Sequence, residues 1–168
     1  LQAALALNRR YWSHDEQIIL GAQTSLANCL NKLGRRDEAL VLYRETHARR
    51  VALHGFSHGS AIGSGSNLAA CLGNLKLYDE AIQLVRDQLL PAARRSLGSD
   101  HHTTLAIYQN LAMDLKNKPD CTRDDLVESV TIMQDVVQRR RQVFGPAHPN
   151  TLHAERELSS ARAKLARA

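Results

Sequence analysis

At 168 residues and a formal net charge of +5, the chain is long enough for one domain with its own core and basic enough to attract acidic surfaces. It has no apolar run near twenty residues, so no membrane-spanning helix is expected. Three cysteines at unpaired spacings and no signal peptide point to a soluble, intracellular, cytoplasmic protein without disulfides.

In chain order, Leu1, Leu5 and Leu7 open an apolar-periodic helix expected to run from Leu1 to Tyr11 and end near Ser13. Helices are then predicted over about Glu16–Leu33, Arg36–Leu53, Gly59–Lys76, Tyr78–Leu97, His101–Asn117 and Arg123–Phe144, with a closing helix from His148. Gly34, Gly55, Gly98 and Gly145 stand where helices must stop. Low aromatic content, scarce Pro and abundant Leu, Ala, Arg and Gln suit an all-α chain. The start without Met, inside a helix, reads as an excised piece of a longer protein.

Two phrases recur. Leu26-Ala27, Leu68-Ala69 and Leu111-Ala112 are one; Gly55-x-x-His58, Gly98-x-x-His101 and Gly145-x-x-His148 are the other, at steps of 43 and 47 residues. The longer step reflects the insertion Asn117-Lys118-Pro119-Asp120-Cys121-Thr122. Small residues pair across each helix couple as Ala27 with Ala39, Ala69 with Ala81 and Ala112 with Ser129. The units are residues 14–55, 56–98 and 99–145, preceded by the trailing helix of a leading partial repeat over 1–13 and followed by a closing helix, or the first helix of a further repeat, over 146–168. Cys29 and Cys71 hold equivalent places and are expected to be buried; Cys121, in the inserted loop, is the expected exposed thiol.

The pattern Leu-Ala-x-x-Leu, a turn, then Asp37-Glu38-Ala39 or Asp79-Glu80-Ala81 resembles the tetratricopeptide repeat. The period near 42, with Gly145-x-x-His148-Pro149-x-Thr151-Leu152, resembles its kinesin light chain type more narrowly. The second unit departs most, with Gly63 and Gly65 early in its first helix, Gly59 in place of Pro, and Ala61-Ile62 in place of Thr-Leu. The resemblance implies a right-handed α-solenoid of antiparallel helix pairs, whose first helices line a concave groove for a peptide segment.

Helical geometry indicates which residues would face that groove. At roughly 100° per residue, Gln23, Leu26 and Leu30 form a packing stripe and Thr24, Asn28 and Asn31 a polar stripe. The same register places Ser66, Asn67, Ala70, Gly73 and Asn74 on the second unit, Gln109, Asn110, Met113, Lys116 and Asn117 on the third, and Arg156 and Glu157 on the closing helix. Carboxamides both donate and accept, so they suit a ligand's main chain. Small residues at Gly63, Ser66, Ala70 and Gly73 suggest a pocket in mid-groove for a bulky side chain. A chaperone-tail clamp is disfavoured, because Thr24, Ala106 and Asn110 stand where Lys or Arg would hold a carboxylate.

Arginines cluster late in the second helices, as Arg9-Arg10, Arg49-Arg50, Arg94-Arg95 and Arg139-Arg140-Arg141. Cations there complement the helix dipole, and the stack would align them into a basic ridge favouring an acidic partner. No aromatic ladder accompanies them, which argues against nucleic acid. The repeated histidines His58, His101 and His148 sit two helix widths apart, too far to share a metal, and are expected to close turns and cap helices. No catalytic motif occurs, so neither an enzyme nor a cofactor is expected. Two functions follow: a peptide-binding or protein-binding scaffold, or a self-association module stacking end to end through its terminal helices, with Leu5, Trp12 and Leu152 at the junctions.

Overall fold

Each Gly-x-x-His phrase builds the same joint. In this computed structural model the backbone is described from Gln2 and side chains from Glu16 onward, so expectations at Leu1, Leu5, Arg9, Arg10 and Trp12 lie outside the described residues. Gly55, Gly98 and Gly145 have φ of 80°, 88° and 88°, the left-handed region that favours glycine. The histidine three residues on is the N-cap of the next helix. His58 Nδ1 accepts from Ser60 N–H at 3.2 Å, His101 from Thr103 at 3.2 Å and His148 from Asn150 at 3.1 Å. An accepting Nδ1 requires the tautomer with its proton on Nε2, so the cap needs neutral imidazole. His54 stacks on His58 and Phe144 on His148, with ring centroids 4.5 and 4.9 Å apart.

The helices are α1 (Gln2–Lys32), α2 (Arg36–His54), α3 (Gly59–Asn74), α4 (Tyr78–Leu84), a π-helical turn (Val85–Leu89), α5 (Leu90–Ser96), α6 (His102–Asn117), α7 (Arg123–Phe144) and α8 (Pro149–Leu165). They pack as sequential antiparallel pairs: α1 on α2, α2 on α3, α3 on α4 and the π turn, α6 on α7, and α7 on α8. The leading helices α3 and α6 also touch directly, as do α6 and α8. The paired small residues sit at the crossings. Ala27, Ala39, Ala69, Ala81 and Ala112 are all fully buried, and Ser129 Oγ donates to the Ala112 carbonyl at 2.6 Å. Around them lie three apolar clusters, centred on Tyr43 and Leu72, on Ile62, Leu89 and Ile107, and on Met133, Val136 and Leu158. No described helix is long and apolar enough to cross a membrane.

Three local expectations change. The chain is one helix from Gln2 to Lys32, without the break near Ser13; the Ser13-His14-Asp15 stretch has modest helix propensity but contains neither Pro nor Gly to stop it. The helix expected over Tyr78–Leu97 is interrupted by the π turn, where Leu90 N–H bonds Val85 O. Pro91 supplies the reason: it lacks an N–H, and its ring would strike the carbonyl four residues back unless the backbone widened. Leu26, assigned to the packing stripe, is 52% exposed. It belongs with Ile19, Ala22, Cys29 and Leu33 to an exposed face of α1, whose counterparts on α3 (Ala61, Ser64, Leu68, Cys71 and Leu75) are covered by α2 or half-buried. Cys29 is therefore exposed, whereas Cys71 is buried and Cys121 only half-exposed.

Candidate functional site

The leading helices are held to their neighbours by two arginines, Arg50 half-buried and Arg140 buried. From α2, Arg50 donates to Leu20 O at 3.3 Å and Thr24 Oγ1 at 3.2 Å on α1, and to Ser60 O at 3.5 Å on α3. From α7, Arg140 donates to Gln109 Oε1 at 2.5 Å on α6 and Asn150 O at 2.9 Å on α8. These are equivalent positions making equivalent bonds, and burial lowers the pKa of both guanidinium groups. The middle unit has Ala93 at this place and so lacks the clip.

Between α3 and α6 a cavity of about 260 Å³ opens, lined by Ala70, Gly73 and Asn74 from α3, Ala106, Gln109, Asn110, Met113, Asp114 and Asn117 from α6, and His153 from α8. Asp114 is 5% exposed, and its Oδ2 is buried without a hydrogen-bond partner. Burial alone lifts its carboxyl to about 7. The carboxyl lies against the α3 backbone at Gly73, where a Cβ would fall 2.3 Å from Oδ1. Gly65 similarly makes room for Leu89 and His47. Two of the glycines of α3 are thus sites of close approach by side chains.

The corresponding space between α6 and α8 is filled from within. Lys116 holds the position that Gly73 holds one unit earlier; its Nζ bonds Glu157 Oε2 at 2.9 Å and Ser160 Oγ at 3.1 Å, and the side chain is buried. Lys164 Nζ donates to the Lys116 carbonyl from α8.

The expected groove residues therefore divide. Ala70, Asn74, Gln109, Asn110, Met113 and Asn117 converge on the cavity. Asn74, Asn110 and Asn117 make no side-chain hydrogen bond among the described residues, and neither does Asn67, half-buried outside the cavity lining. Thr24 is taken up by Arg50, Asn28 accepts from Tyr43 Oη at 2.6 Å, and Asn31 is half-buried with Oδ1 unpaired. Ser66 is buried, Lys116 is committed to α8, and exposed Arg156 lines a separate shallow hollow with Leu152, Glu155 and Ser159. Sequence reasoning missed Asp114 and His153. The available signal was an acid at a place held by Cys29, Cys71 and Ala161 in the other units.

The basic ridge is largely neutralised. Arg49 pairs with Glu16, Arg139 with Asp100 and Asp135, and Arg141 with Glu155, while Arg50 and Arg140 are the clips. Arg94 and Arg95 make no ion pair among the described residues and border an open cleft with Leu90, Pro91 and Tyr108. Among the described residues no three His, Cys, Asp or Glu side chains are grouped to hold a metal ion.

Helix pairs stacked in sequence, joined by arginine clips and Gly-x-x-His turns, define an α-helical repeat protein. A tetratricopeptide repeat family model matches residues 19–59 and 121–150. Its fold is similar to that of a Podosopora anserina protein described as a kinesin light chain with nearly identical TPR-like repeats, at 24% identity and a TM-score of 0.75. The match covers 86% of this chain and 66% of that one, and the Q17M variant of the same protein matches equally. BtubC (BKLC) from P. vanneervenii is similar at 16% identity and a TM-score of 0.73, covering 88% of this chain and 57% of that one. The chain thus spans less than two thirds of the length of BtubC. No curated protein sequence matches it.

Proposed function

We propose that the chain is a protein-interaction scaffold that binds a peptide segment of a partner in the groove lined by α1, α3, α6 and α8. Repeats of this class are generally protein-interaction modules. The supporting observation is that seven residues expected on the groove, Gly73 among them, converge on the α3–α6 cavity, three of them asparagines with unused hydrogen-bonding groups. Such a surface recognises main chain and leaves sequence preference to the cavity. A random octapeptide array probed with the wild-type chain and with Ala70→Trp, which fills the cavity, tests the reading. Captured peptides should be lost at least tenfold in the variant while its helical circular dichroism is unchanged. Retained binding overturns it.

The exposed apolar face of α1 favours a second reading, self-association at that end. Ile19, Leu26 and Leu33 are 52, 52 and 74% exposed, a cluster rather than scattered residues. Sedimentation over a concentration range should then show mass rising with concentration, abolished in Leu26→Glu. A strict monomer removes this reading.

A further inference from the structure

We propose that the cavity between α3 and α6 is a receptor for a lysine side chain of the bound segment, its ammonium paired with Asp114. This rests on the groove reading above and names the chemistry the groove selects.

Three independent observations carry it. The first is the unsatisfied acid: Asp114 is 5% exposed, its Oδ2 has no partner, and it lines a cavity open to solvent. A buried polar group without a partner is costly, and a charged donor is its strongest remedy. Among the described residues no cation pairs with Asp114; Lys116, on the same helix, is turned to Glu157, and Lys118 to Asp125.

The second is an internal precedent one unit along the stack. There the space between leading helices is occupied by the Lys116 side chain, whose ammonium meets a carboxylate at 2.9 Å and a hydroxyl at 3.1 Å. Gly73 stands at the equivalent position of the preceding unit, so the chain supplies no lysine of its own there. An incoming lysine takes the kind of place that Lys116 takes next door, with Asp114 replacing Glu157 as the anion.

The third is the shape and lining. A cavity of about 260 Å³ is below the usual range for small-molecule sites, roughly 300–1,000 Å³, and suits a single side chain. Ala70, Ala106 and Met113 offer apolar contact to a lysine's methylene stem, as snorkelling side chains require. Asn74, Asn110 and Asn117 stand around it to bond the main chain on either side. A guanidinium is the competing cation, but its flat fork needs both carboxylate oxygens open, and both lie against Gly73, Oδ1 at 2.3 Å and Oδ2 at 3.4 Å from the place a Cβ would take.

The test uses n-butylammonium chloride, the lysine side chain without its backbone, and n-butanol as the uncharged analogue. Amide chemical shifts of the ¹⁵N-labelled 168-residue chain are followed at pH 8 during titration. Saturable shifts at Gly73, Asn110 and Asp114 are expected with butylammonium and not with butanol. Asp114→Asn should weaken them at least tenfold, and Gly73→Ala, whose methyl displaces the carboxyl, should do the same. No saturable shift, or equal shifts in both variants, overturns the proposal. A lysine-to-norleucine series on array-captured octapeptides separates the two readings. Peptides lost on Ala70→Trp but indifferent to norleucine and to Asp114→Asn overturn the lysine receptor and leave the groove standing. Butylammonium shifts with no peptide captured overturn the groove instead.

Discussion

The carboxyl of Asp114 rests against the backbone of Gly73, so closely that a methyl group on that glycine would fall 2.3 Å from Oδ1. Neither residue has this relation elsewhere in the repeat: the acid replaces cysteine or alanine and the glycine replaces asparagine, lysine or alanine at their equivalent positions.

The energetic consequence depends on pH. Burial raises the folded-state carboxyl to about 7 from an ordinary 3.8. A raised carboxyl binds its proton more tightly when folded, so this contribution is full below about 4 and is lost as pH rises towards 7. Three units correspond to at most about 4 kcal/mol. His47 and His101, whose pKa values burial lowers, contribute with the opposite sign, their stabilisation growing as pH rises towards 6.5. The informative measurement is therefore the difference in urea midpoint between pH 5 and pH 8, compared in wild type and Asp114→Asn. The variant should gain on wild type as pH rises; an equal pH response in both would contradict the assignment.

Removing an arginine clip should be expensive. Arg140→Ala leaves Gln109 Oε1 and Asn150 O without their donor inside the stack, a loss of about 2–4 kcal/mol by chemical denaturation. Arg141→Ala, one residue on but paired with Glu155 at the surface, should change stability little. Similar costs for the two variants would show that the clip carries no special weight.

The histidine caps predict their own rescue. His101→Ala should cost about 1 kcal/mol, and His101→Asn or Asp should recover most of it, because either oxygen can accept the Thr103 amide. Thermal melts of the three variants at pH 8 check this. Should the Asn variant be as unstable as the Ala variant, packing rather than capping is what the histidine provides.

Lys76 occupies the left-handed region at φ 63°, at the place where the first unit has Gly34 at φ 81°. Lys76→Gly is expected to stabilise by about 1 kcal/mol by relieving that conformation. For a chain of this size the melting temperature should rise roughly 2–4 °C. An unchanged or lowered value would mean that the lysine side chain compensates.

Much of the fold was legible because repetition supplies its own control. Ala27, Ala69 and Ala112 with their partners, and the three Gly-x-x-His joints, recur at matched positions, so chance resemblance at one is checked by the others. What repetition hides is which copies are covered: Leu26 has the sequence context of Leu68 and Leu111 but 52% exposure, because α2 packs over Leu68 and no described helix packs over Leu26 in the same way. The polar stripe was half legible. Helical phase separates Asn74, Asn110 and Asn117 from the core, yet it cannot tell an unengaged Asn110 from a Gln109 claimed by Arg140 of the next helix, 31 residues on. That information resides in long-range pairing. The arginine pairs misled for the same reason, since a dipole argument sees only their own helix.

Ala93 leaves the stack with one joint that is tied differently from the others. Arg50 bridges α1, α2 and α3, and Arg140 bridges α6, α7 and α8, but no side chain of α5 bolts α3 to α6. Contact there is mainly apolar, and apolar contacts permit small sliding that directional bonds resist. Across this joint the second helices are still tied, Arg86 of the π turn meeting Glu128 of α7 at 2.6 Å, and the cavity lies on the side where no arginine reaches. Whatever seats itself against both α3 and α6 would span the one pair of neighbouring units that the chain leaves without its own clip.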